Sequence, residues 1–123
     1  MTAHMQLSLS PEHQEIRDAI LKICQHFDDD YWMQKDRDGG WPHDFHKALA
    51  EAGWIGIAMP PEYGGAGLGI TEAAIMTEAI SESGGGGAAA ATMNKYVYGL
   101  NPIVVFGTDE QNRRFLPPSI KGD

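Results

Sequence analysis

Apolar positions along the chain recur with a helical period from Pro11 onward. Ile16, Ile20, Ile23 and Phe27 fall four, three and four residues apart, and Glu15, Arg17, Asp18, Lys22 and Gln25 fill the remaining positions. This spacing predicts an amphipathic helix that ends near Phe27 to Asp30. Ser10 is suited to cap it, because its hydroxyl can accept an orphan backbone N–H, and Pro11 fits the first helical position without losing a useful donor. Residues 1–8 carry no period and read as a flexible segment. Phe45, Leu49 and Ala52 mark a second helix, which begins after Gly39-Gly40 and Trp41-Pro42 and stops at Gly53. The short apolar stretch Trp54, Ile55, Ile57 and Met59 is interrupted by glycine and closed by Pro60-Pro61, so it reads as a buried connector rather than a sheet strand.

Tyr63-Gly64-Gly65-Ala66-Gly67-Leu68-Gly69 is glycine-dense between bulky ends, which lets the backbone double back closely. Thr71 is the expected N-cap of a third helix with Glu72 in its first turn, Ala73, Met76 and Ile80 on its apolar side and Glu78 and Glu82 on its wet one. Beyond Gly84 to Gly87, the segment from Ala88 to Leu100 holds Lys95 as its one charge. It is predicted as a helix buried on nearly all sides, with Ala89, Met93, Tyr96 and Leu100 in helical register and Val97 widening the stripe. Asn101-Pro102 starts a short helix closed by Gly107. Thr108 to Gln111 spells a capping box for a last helix that carries Phe115 and Leu116 and is expected to stop at Pro117-Pro118. The sum is an all-α, up-and-down bundle of five to six helices forming one domain over residues 9–123.

Composition narrows the function classes. The apolar fraction of 42% is enough for a real core and argues against wholesale disorder. A formal charge of −8, with no Lys/Arg run to offset it locally, makes nucleic acid a poor partner. No apolar run reaches the length of a membrane span, and no secretory signal is visible, which fits a bacterial cytoplasm or a mitochondrial matrix. Cys24 stands alone on the first helix's apolar side, a small core residue with no cationic activator adjacent to it in sequence.

Candidate chemistry is sparse. Asp28-Asp29-Asp30 lacks the alternation of an EF-hand loop and reads as a solvated acidic turn. His43 and His46 are three apart, but no further ligand stands at metal-site spacing, so both read as surface histidines and no metal is expected. Gly84, Gly86 and Ala89 formally match G-x-G-x-x-A, yet helix rather than strand precedes them, so no dinucleotide site is expected there. No G-x-S-x-G elbow is present. None of the carboxylates lies in an apolar run where burial would tune it as a base, so no catalytic residue is assigned.

Two long motifs carry a resemblance. The stretch from Ala48 to Leu68, ALAEAGWIGIAMPPEYGGAGL, is similar to the signature of acyl-CoA dehydrogenase N-terminal domains. Pro102, Ile103, Phe106, Gly107, Thr108, Glu110, Gln111, Phe115-Leu116-Pro117 and Gly122 agree in the same order. The resemblance runs from about Leu7 to Asp123, with one departure, the run Gly84 to Gly87, which implies a looser link between the third and fourth helices. It implies a parent flavoprotein, usually a homotetramer, that oxidises acyl-CoA to trans-2-enoyl-CoA in fatty acid metabolism. A carboxylate removes the α proton, hydride passes to FAD, and an electron-transfer partner takes the electrons. The carboxylate and most of the FAD site would belong to a middle β domain and a C-terminal helical domain absent from this chain, which alone is expected to be inactive. By the same resemblance Met93, Tyr96, Val97 and Leu100 would form a wall of the acyl pocket, and Tyr63, Gly64, Gly65 and Gly67 a loop shaping the domain junction. The alternative is a non-catalytic helical scaffold or hetero-oligomer subunit built from the same domain.

Overall fold

A computed structural model describes residues 8–123. The expected flexible segment, residues 1–8, therefore lies outside the described residues except for Ser8. Among the described residues the secondary structure is entirely helical: α1 Pro11–Cys24, α2 Asp29–Asp38, α3 His43–Glu51, a 3-10 turn Pro61–Tyr63, α4 Ile70–Glu82, α5 Gly86–Ala91, a π-helical turn Lys95–Gly99, α6 Asn101–Phe106 and α7 Asp109–Ile120. α1 packs along α4 and touches α3, α4 continues against α5, and α7 closes the far side against α6 and the Pro61–Tyr63 turn. The all-α bundle is as the periodicity predicts.

Where helices start, the reasons are mostly local. Ser10 accepts the amide of His13 at 3.2 Å, and Thr108 and Gln111 satisfy each other's orphan groups at 3.2 and 2.9 Å. The acidic turn expected at Asp28 to Asp30 is instead the start of a helix. Asp28 accepts from the amide of Tyr31 at 3.0 Å, and Asp29 and Asp30 sit in the first turn, where carboxylates are favoured by the helix dipole. Thr71 is not the cap of α4. Gly69 holds that position, and Glu72 reaches back to accept its amide at 3.3 Å. Nor do Pro117 and Pro118 stop α7, which runs through both to Ile120. Neither can donate, and beyond them the Lys121 amide closes the last turn on the Pro118 carbonyl at 3.1 Å.

The core is lined by Ile20 and Cys24 of α1, Phe45 and Leu49 of α3, Met76 and Ile80 of α4, and Leu116 of α7. Trp32 and Phe45 meet edge to face at 5.1 Å, and Phe27 joins Phe45 at 5.3 Å, so α2 is pinned by an aromatic cluster rather than by its polar sequence. The link between α4 and α5 is correspondingly tight, against the looser link expected from its glycines. Trp32 lies on Gly85 so closely that an added Cβ would come within 2.5 Å of the indole. Burial pushes the Cys24 thiol up, only partly offset by Ser83 at the end of α4.

Candidate functional site

The connector from Trp54 to Met59 and the glycine loop after it build one half of an apolar cleft. Ile55, Ile57 and Met59 point inward and are buried. The loop folds back on them through three backbone bonds: Ala66 N–H to the Gly56 carbonyl at 2.9 Å, Gly67 to Met59 at 2.9 Å and Leu68 to Ile57 at 3.0 Å. Gly65 is required there, since a side chain would start 2.1 Å from the Met59 carbonyl oxygen. This return brings Leu68 and Ile70 to the rim of the cleft.

The opposite wall comes from the segment Ala88 to Leu100, which is not the single enclosed helix its composition predicts. α5 ends at Ala91, the chain turns through Thr92 and Met93, and the Lys95–Gly99 stretch winds as a π turn. The wider turn separates two faces. Met93, Tyr96 and Val97 are buried, whereas Asn94, Lys95, Tyr98 and Gly99 are exposed. Alanine and glycine make the segment look uniformly apolar in sequence, but they fill too little volume to need cover on every side.

Among the four pocket candidates, Tyr96 and Val97 border the cleft together with Ile57 and with Val104 of α6. Met93 lies deeper, in the core, and Leu100 is half-buried against it. The cleft has a volume of about 160 Å³, comparable to an apolar cavity of ~150 Å³ that admits a benzene-sized molecule. Its walls carry no charged side chain.

Behind Tyr96 stands a residue that sequence reading placed on the surface. His46 is 9% exposed, stacks on the Tyr96 ring with centroids 5.6 Å apart, and shares a hydrogen bond of 2.5 Å between its Nε2 and the Tyr96 hydroxyl. Burial first, then the nearby positive charges of Lys95 and His43, holds its pKa below the ordinary histidine range. The signal in sequence was position: His46 follows Phe45 and precedes Leu49 by three, on the flank of the apolar stripe of α3. His43 is exposed, and the described residues contain no group of three or more His, Cys, Asp or Glu side chains arranged to hold a metal.

Neither the glycine run nor the cleft fits a flavin. Gly84 to Gly87 follow a helix, and the face of Gly85 is taken by Trp32, so the run cannot cradle a pyrophosphate. The cleft is smaller than a dinucleotide needs. Among the carboxylates, Glu72 alone shows a resolved shift, and it is downward, held by its own backbone amide and that of Gly69, the opposite of what a base tuned to abstract a carbon-bound proton requires.

Comparison with known proteins now decides the family. The description "Acyl-CoA dehydrogenase, N-terminal domain" matches residues 10–123. This chain belongs to that family. Isovaleryl-CoA dehydrogenase of Pongo abelii is 31% identical over 117 residues, covering 94% of this chain and 27% of the relative. A 3-(aryl)acrylate reductase of Clostridium sporogenes is 30% identical over 112 residues, 91% of this chain and 29% of that protein. In solved structures, a chain described under an electron transferring flavoprotein of Acidaminococcus fermentans superposes with a TM-score of 0.82 at 28% identity, covering 96% of this chain and 31% of that one. The chain thus spans under a third of the length of the relatives it matches. Those relatives are both bacterial and mitochondrial, and no described helix is long and apolar enough to cross a membrane.

Proposed function

We propose that this chain is a non-catalytic helical module of an acyl-CoA dehydrogenase-type flavoprotein assembly. It supplies one wall of a cleft for a short acyl group and an apolar face for a neighbouring domain or subunit, while proton abstraction and flavin chemistry belong elsewhere in the assembly. The observation that carries this reading is the cleft itself: an apolar concavity between Ile57, Leu68, Val97 and Val104, with no carboxylate in its lining. The docking face starts at the same rim. Ile70 at the cleft is 63% exposed, and on α6 Val105 and Phe106 are 59% and 87% exposed, bulky apolar side chains left open to a neighbour.

A second reading is favoured by the family names. As the N-terminal domain of an acyl-CoA dehydrogenase, the same wall would serve oxidation of an acyl-CoA to a trans-2-enoyl-CoA, with FAD held by other domains, acyl-CoA as substrate, an electron-transfer partner downstream and a homo-oligomer, usually a tetramer, as the assembly. One relative is a reductase, so the fold alone does not fix the direction of electron flow.

The test is an assay of the purified protein with acyl-CoA, added FAD and an artificial electron acceptor, alongside light scattering across micromolar concentrations. The expected results are no turnover and concentration-dependent self-association through the α6 face. FAD-dependent turnover by the pure chain would refute the non-catalytic assignment. A strictly monomeric species would remove the docking face.

A further inference from the structure

We propose that His46 is a positioning residue for the cleft: by holding the Tyr96 hydroxyl from behind, it fixes the Tyr96 ring as the cleft's rear wall and so sets the shape offered to a short acyl group. The inference rests on the reading of the cleft given above. Its physical basis is geometric. Tyr96 borders the cleft, and of the two wall residues with a polar handle, Tyr96 and Asn101, it is Tyr96 whose hydroxyl lies 2.5 Å from His46 Nε2. The imidazole is itself confined. The Tyr96 ring stacks on it, Trp41 meets it edge-on at 6.0 Å, and Gly122 lies against its Cε1 edge so closely that a Cβ there would sit 3.4 Å away. A buried ring caught between three elements has one orientation, and it passes that orientation to its hydrogen-bond partner.

The tether also has a condition built into it. The ionisable groups that face His46 are Lys95 of the π turn, whose Nζ stands 4.7 Å over the Tyr96 ring, and His43 one turn earlier on α3; Gly122, on the third side, is flanked in sequence by Lys121 and Asp123. Among the described residues no carboxylate pairs with it. An imidazolium formed there would be buried, unpaired and beside an ammonium, so protonation drives the ring toward water and releases Tyr96. The cleft therefore holds its shape only while His46 is neutral.

The experiment titrates the protein with the butanoyl thioester of N-acetylcysteamine, followed by the methyl NMR signals of Ile57, Val97 and Val104, between about pH 5 and about pH 7.5, the range that brackets histidine titration. In the wild type the apparent Kd should rise at least about threefold at the acid end, as the competent fraction of the cleft falls. His46→Gln keeps an amide able to meet the Tyr96 hydroxyl but does not titrate, so it should bind within about twofold of the wild type with a flat pH profile. Tyr96→Phe removes only the tether. It should also be flat, with weaker binding at neutral pH, and it provides the answer should His46→Gln fail to fold. A wild type that binds without pH dependence, or a His46→Gln protein that keeps the wild-type dependence, overturns the proposal. If the thioester binds at no pH, the cleft assignment falls instead. The tether is then decided by the Tyr96 ring and Val97 methyl signals, which must move with His46 titration if it exists and overturn it if they stay still.

Discussion

Three of the four consecutive glycines at the α4–α5 junction, Gly85 to Gly87, should respond to alanine in different ways, and the structure fixes each sign. Gly85 has an ordinary negative φ of −76°, so its backbone would accept alanine freely. The obstacle is packing: the new methyl would lie 2.5 Å from Trp32 Cε2, 2.8 Å from Trp32 Nε1 and 2.6 Å from Ala89 Cβ. Trp32 cannot easily retreat, because its ring is wedged against Tyr31 and Phe45 at 5.1 Å each. Overpacking of this kind costs ~1–3 kcal/mol, offset by the ~0.4–1 kcal/mol that alanine gains by restricting the unfolded chain. Gly85→Ala should therefore destabilise by about 1–2 kcal/mol, which for a chain of this size lowers Tm by roughly 3–8 °C. Gly87 is the control. It lies inside α5 with open space around it and no positive φ, so Gly87→Ala should stabilise by ~0.4–1 kcal/mol. Gly86 is equally open but has φ +55°, so alanine there should destabilise through the backbone alone. Urea or thermal unfolding of the three variants side by side reads the result. A Gly85→Ala protein as stable as Gly87→Ala would show that Trp32 is not seated on the glycine, and the account of α2 docking would fail with it.

Three further outcomes follow from the same structure. Phe45→Ala empties the centre of the aromatic cluster at a fully buried position and should cost ~3–5 kcal/mol, a large share of a small domain's stability, visible as a collapse of the urea midpoint. Thr108→Ala removes one half of the capping box on α7 and should cost ~0.5–2 kcal/mol, rescued in large part by Thr108→Ser but not by Thr108→Val. Acid should weaken the fold in two stages. His46 has a folded pKa below its ordinary 6.5, so between the folded value and 6.5 the unfolded chain binds more protons, and stability is full above about 6.5 and falls as the pH drops beneath it. Glu72, lowered from 4.5 by its own backbone amide and then that of Gly69, adds a second loss below about 4.5. The midpoint of urea unfolding followed against pH should lose its first step, and only that one, in His46→Gln.

The sequence was most legible where one residue type does one local job. Ser10, Thr108 with Gln111, and Gly53 with its φ of +84° announce helix ends through their own backbone chemistry, and each sits where it should. α2 was hidden because its stabilisation is tertiary. DDYWMQKDRD is mostly polar and buries one side chain, Trp32, so its periodicity is weak, and Asp28 with the two aspartates that follow it looks like a turn until Asp28 is seen accepting from the Tyr31 amide. Pro117 and Pro118 misled for a related reason. Proline removes hydrogen bonds from the helix it joins, but near the end of α7 packing of Ile120 against Gly56, where an added Cβ would lie 3.0 Å from Ile120 Cγ1, sustains the turn. The cleft was half legible. Tyr96 and Val97 stood out as apolar positions on one stripe, whereas Ile57 and Leu68 needed the glycine loop's three backbone bonds to become their neighbours, and no spacing rule encodes those.

On the proposed reading, recognition and assembly are one event at this surface. Leu68 and Ile70 belong both to the rim of the cleft and to the exposed apolar face, and α6 lends Val104 to the former and Val105 and Phe106 to the latter. An element that covers Leu68 and Ile70 would also cover the cleft, and an acyl group that fills the cleft would enlarge the apolar area such an element buries, each buried methylene being worth ~0.8 kcal/mol. The two ligands therefore cannot be independent: whichever binds first raises the affinity for the other, and by linkage the effect is reciprocal. A partner present at ~100 times its Kd would add ~2.7 kcal/mol to the stability of this fold, more than the about 1–2 kcal/mol expected to be lost in Gly85→Ala. A destabilised Gly85→Ala chain should consequently recover much of its Tm inside the assembly. That recovery would be hard to explain if the α6 face were ordinary surface.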